Sequence, residues 1–66
     1  PSDDALPEEL SEEAKAVFAV LDKTPRLFDE IQIITSLPPQ TVMTAVTELE
    51  LEGLAVMHTG NRVSKP

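Results

Sequence analysis

Sixty-six residues with 41% apolar side chains, two Phe, no Trp, Tyr or Cys and a formal net charge of −7 describe at most one small domain with an aliphatic core. A chain of this size has no room for an enzyme-sized cavity, the lack of Cys removes disulfides and thiolate metal sites, and no apolar run approaches the roughly 20 residues of a membrane span. The chain therefore reads as a cytoplasmic, non-enzymatic module without cofactor or membrane contact, and with Pro1 in place of an initiator Met it is expected to be a piece of a longer protein.

The charge is unevenly placed. Asp3, Asp4, Glu8, Glu9, Glu12 and Glu13 precede any cation, which leaves six acids against five bases over residues 14–66. PSDDALPEEL combines prolines and acids with little periodicity, so residues 1–10 are expected to form an acidic linker from an upstream domain and 11–66 the folded domain.

Ser11 then offers an N-cap hydroxyl, Glu12 and Glu13 sit at the positive end of the helix dipole, and Ala14, Val17, Phe18 and Leu21 follow at helical spacing. Asp22 to Pro25 break this first helix. Arg26, Leu27 and Phe28 form a short extended link or a one-bridge strand. A second, shorter helix starts at Asp29 and Glu30, with Ile31 and Ile34 on one face, and ends before Pro38. Pro38 or Pro39 suits the first position of a third helix, where the missing amide hydrogen would be unpaired anyway. That helix spans about 39–52, buries Val42, Ala45, Val46 and Leu49, and closes at Gly53 in a left-handed conformation.

Leu54 to His58 reads as a strand, Thr59, Gly60 and Asn61 as a turn and Arg62 to Ser64 as the returning strand. The fold class is thus mainly α with a small β-hairpin: a winged helix-turn-helix of three helices plus wing.

At this point TSLPPQTVMTAVTELELEGLAV, the following TGNRV turn and the upstream LFDEIQIIT resemble the C-terminal winged-helix domain of DNA-processing protein A, the DprA or Smf family. The resemblance implies a place in natural transformation and DNA recombination. In that family an upstream Rossmann-like domain binds single-stranded DNA and helps load the recombinase, and the small C-terminal domain is similar to the Z-DNA-binding type of winged helix. Two positions depart from the family pattern: Ser36 stands where Gly is common, at a turn expected to favour positive φ, and Val63 where an aromatic is frequent. Z-DNA-binding relatives use aromatic contacts, and a chain without Tyr or Trp argues against that specificity.

Counting about 100° per residue from Val42 turns Gln40, Thr41, Thr44, Thr47 and Glu48 toward solvent or a DNA groove. Gln40, Thr41 and Thr44 on the helix, with Arg62 and Lys65 on the wing, are the candidate nucleic-acid contacts. Affinity for a polyanion comes mainly from cations displacing counterions, however, and Glu48, Glu50 and Glu52 oppose those few. Contact with protein is the favoured reading: the upstream Rossmann-like domain, a recombinase or a second copy.

Ile33, Met43 and Leu51 lie off the buried stripes and are the candidate partner contacts. For Leu51 burial under the hairpin is the favoured expectation, while Ile33 reads equally as a docking residue or as one ordinary exposed apolar side chain. Weak accessory DNA binding, or a dimerisation or sensor role in a winged-helix transcription regulator, are the alternatives. His58 without Cys makes no recognisable metal set, and Ser11, Ser36 and Ser64 have no base placed beside them by sequence.

Overall fold

The computed structural model describes residues 9–66. Their elements, in chain order, are α1 (Glu12–Val20), β1 (Arg26–Leu27), α2 (Phe28–Thr35), α3 (Pro39–Leu51), β2 (Val56–His58) and β3 (Arg62–Ser64). Three helices and a three-stranded antiparallel sheet of order β1-β3-β2 make a winged helix.

Each helix begins and ends for a local reason. The Ser11 hydroxyl accepts the Ala14 N–H at 3.1 Å, and Glu12 and Glu13 occupy the positive first turn of α1. No cation lies in that helix's last turn, but Arg26 folds back and donates from Nε to the Val20 carbonyl at 2.8 Å. Its other guanidinium nitrogens reach Glu30 at 3.0 Å and Asp22 at 3.4 Å, so one side chain joins the end of α1 to the start of α2.

Helix α2 starts at Phe28, one residue earlier than expected, because the Phe28 N–H is taken by the wing: it donates to the Asn61 carbonyl at 2.8 Å. The helix stops at Ser36, whose φ of 60° and ψ of 27° place a non-glycine residue in the left-handed region, as the turn position demanded. Pro39 occupies the first turn of α3. At the far end Gly53, φ 74°, donates to the Glu50 carbonyl at 3.0 Å and Leu54 to the Leu49 carbonyl at 2.8 Å. This double closure is the Schellman arrangement that glycine permits.

The core lies where the helices cross. Ala14, Val17, Ile31, Val42, Val46, Leu49 and Val63 are fully buried, with Leu21, Ala45 and Ala55 close to it, and α1 against α3 is the most extensive contact. Val63 brings the central strand into this cluster, although its register partners Arg26 and Met57 are only partly covered. Among the described residues, no buried side-chain nitrogen or oxygen lacks a hydrogen-bond partner.

Four expectations need correction. Leu10, placed in the linker, is 4% exposed and part of the core, while residues 1–8 of that linker lie outside the described residues. Ile34, expected beside Ile31, is half exposed. Leu51 is 83% exposed rather than buried. The Schellman closure keeps α3 regular to its last residue, so nothing rotates Leu51 inward, and Leu54 packs against the core after the turn instead. Glu48 does not face a groove freely but is engaged by Ser11.

Candidate functional site

Helix α3 presents two adjoining concavities along its outer side. One, of about 430 Å³, is lined by Ser11, Glu13, Gln40, Thr41, Thr44, Ala45 and Glu48. The other, of about 410 Å³, is lined by Met43, Thr44, Thr47, Glu48 and Leu51. Thr44 and Glu48 border both, and neither contains a cation.

Glu48 is the fixed point between them. Its Oε2 accepts the Ser11 backbone N–H at 2.9 Å and its Oε1 accepts the Ser11 hydroxyl at 2.8 Å. An N-cap residue followed three positions later by Glu can form a capping box within one helix. Here that position is Ala14, and α3 supplies the carboxylate instead. The second half of the cap thus comes from a segment 37 residues away, where no local signal could have found it.

The hydroxyls on this face turn back on their own helix. Thr44 Oγ1 donates to the Gln40 carbonyl at 3.1 Å and Thr47 Oγ1 to the Met43 carbonyl at 2.9 Å. A hydroxyl has one proton, so in this arrangement Thr44 and Thr47 offer only lone pairs outward, which suits a donor and repels a phosphate oxygen. Gln40 is exposed and Thr41 half-buried.

Cations elsewhere are mostly committed. Lys15 lies 3.7 Å from Glu12, Arg26 is held as described, and the Lys65 ammonium sits 4.7 Å from the centre of the Phe18 ring, where it gains a cation–π contact. The Lys65 N–H also donates to the Asp22 carbonyl at 2.8 Å. Arg62 is exposed, and among the described residues no carboxylate lies within 4.0 Å of it. The five candidate nucleic-acid residues thus divide. Gln40, Thr41 and Thr44 share one concavity, whereas Arg62 and Lys65 line neither.

The partner candidates divide too. Met43, 51% exposed, and Leu51 line the same concavity, while Ile33, 79% exposed, stands on α2 outside it.

On the wing, His58 Nε2 lies 2.7 Å from Ser64 Oγ, and the Ser64 hydroxyl donates to the Lys65 carbonyl at 2.9 Å. The ring nitrogen is then the donor of the pair. This base beside a serine was missed because β2 and β3 must pair before the two side chains meet diagonally. With Ser64 only 2% exposed, the hydroxyl is closed to a substrate, and the pair fastens the wing. Among the described residues, no group of three or more His, Asp or Glu is placed to hold a metal, and no helix is long and apolar enough to cross a membrane.

A search of curated proteins and one of solved structures gave no match. A family model described as the DprA winged helix domain matches residues 1–61, nearly the whole chain, and agrees with the winged-helix fold of three helices and a small antiparallel sheet. The chain belongs to the DprA winged helix domain family.

Proposed function

We propose that this chain is the C-terminal winged-helix module of a DprA-like protein acting in the cytoplasm in natural transformation and DNA recombination, and that it serves contact between proteins or domains rather than primary DNA capture. The upstream Rossmann-like domain, a recombinase or a second copy are the partners this role calls for. One observation carries the reading: the outer side of α3, which a DNA-reading winged helix would lay in the groove, holds two exposed apolar side chains and an anchored carboxylate and no cation.

Duplex DNA bears a negative charge about every 1.7 Å, and binding strength follows the number of phosphates neutralised. Glu13 and Glu48 line the concavities, and Glu50 and Glu52 follow at the helix end. An amide chemical-shift titration with single- and double-stranded oligonucleotides at two salt concentrations tests the proposal. The expected result is no saturable change along Gln40 to Leu51; salt-sensitive changes there and on the wing would defeat it.

A second reading has one observation in its favour. Arg62 is exposed on the central wing strand without a carboxylate partner among the described residues, so it is available for a single phosphate. Accessory DNA contact through Arg62, with Lys65 released from Phe18, is the form that reading takes.

A further inference from the structure

The concavity between Met43 and Leu51 has a chemistry that selects its occupant. Leu51, Thr47 and Thr44 follow one another up the outer side of α3, Met43 and Glu50 fall on one edge, and Glu48 on the other. An apolar strip is thereby bordered by carboxylates on both sides. From Met43 to Leu51 it measures about 12 Å, the length of two helical turns.

Glu48 is more than a nearby charge. Ser11 holds both of its oxygens from one direction, each oxygen keeps a further lone pair, and the side chain has already lost the rotamer freedom a binding partner would otherwise have to freeze. The outward lone pairs of Thr44 and Thr47 likewise favour a donor. A second copy does not fit the same surface, since the chain carries −7 and α3 itself bears no Lys or Arg.

We infer that this face of α3 docks a short amphipathic helix of another protein or domain, with aliphatic anchors two turns apart over Met43 and Leu51 and Lys or Arg placed against Glu48 and Glu50. The inference rests on the protein-contact reading and names the partner's chemistry. The apolar anchors supply the buried area, as in other helix-in-groove contacts, and the basic edge excludes acidic competitors.

Three synthetic peptides of roughly 15 residues, enough for a partner helix to span the strip, share the same leucine spacing and carry Lys, Gln or Glu on their edges. Each is titrated into the 66-residue chain at about 150 mM salt, where surface charges more than about 8 Å apart are screened, and followed by amide and methyl shifts. The lysine-edged peptide is expected to move Met43, Thr47 and Leu51 and to bind at least about tenfold more tightly than the glutamine-edged one, a difference of 1.4 kcal/mol. Leu51→Gln, at an exposed position, should weaken it by a similar factor, and Glu48→Gln should remove the lysine preference.

Shifts spread over the acidic surface and indifferent to Leu51→Gln would reduce the effect to charge adsorption and overturn the inference. So would equal binding of the glutamine-edged peptide, or no binding of any peptide, while the protein-contact reading itself would survive. That reading fails on a different result: a duplex oligonucleotide moving the same α3 resonances.

Discussion

Glu48 on α3 completes the N-terminal cap of α1 by accepting both the backbone N–H and the hydroxyl of Ser11, 37 residues earlier in the chain. Ser11 is consequently bonded in two directions, since its oxygen also accepts from Ala14. The helix pair that forms most of the core is thus tied at one end by a polar joint, and the same joint orients the carboxylate on the outer side of α3.

Such a joint predicts coupling. Ser11→Ala should cost about 1 kcal/mol, the usual value for an N-cap, and Glu48→Ala about 1–2 kcal/mol because the Ser11 donors lose their partner. The double variant should fall short of the sum by at least about 0.5 kcal/mol, as residues in one network do. Urea unfolding of the four proteins measures this, and strict additivity would show that the pair contributes nothing jointly.

Leu49 and Leu51 are two residues apart and opposite in consequence. Leu49 is fully buried and Leu51 83% exposed, so Leu49→Ala should cost about 2–5 kcal/mol and leave a domain this small largely unfolded. Leu51→Glu and Ile33→Glu should each stay within about 0.5 kcal/mol of the parent. A thermal melt distinguishes the cases, and a large loss on Leu51→Glu would mean that the helix end is covered.

Ser36 holds a left-handed backbone at φ 60°, a conformation glycine adopts without a Cβ penalty. Ser36→Gly is expected to be neutral or to stabilise by up to about 1 kcal/mol, relieving the turn at some cost in unfolded-state entropy. Ser36→Val should destabilise by more than about 1 kcal/mol, since a β-branched residue at positive φ is a genuine outlier. The midpoints of chemical unfolding rank the three proteins, and a Val variant as stable as Ser would contradict the strain.

Local signals made most of the helical frame legible. Ser11, Pro39 and Gly53 each act within one turn, and the stripe of Val42, Ala45, Val46 and Leu49 needs only a period of 3.6. Ser36 could be marked only through the family resemblance, in which Gly is common at that turn. What escaped reading depends on contacts between distant segments: Glu48 at the cap, Arg26 across two helices, Lys65 over Phe18 and His58 beside Ser64. Leu51 was misjudged for a related reason, because the helix end can be sealed by either Leu51 or Leu54 and only the completed turn decides.

On the proposed reading the outer side of α3 does not hold DNA. The most direct test of that reading is the salt dependence of duplex binding by the 66-residue chain, read as log K against log salt. Among the described residues Lys23 and Arg62 are exposed and outside any ion pair, and Lys65 could join them if it left Phe18, so the slope should be no steeper than about −3 and binding negligible near 150 mM salt. A slope beyond about −4, with micromolar affinity retained at that salt, would contradict the account.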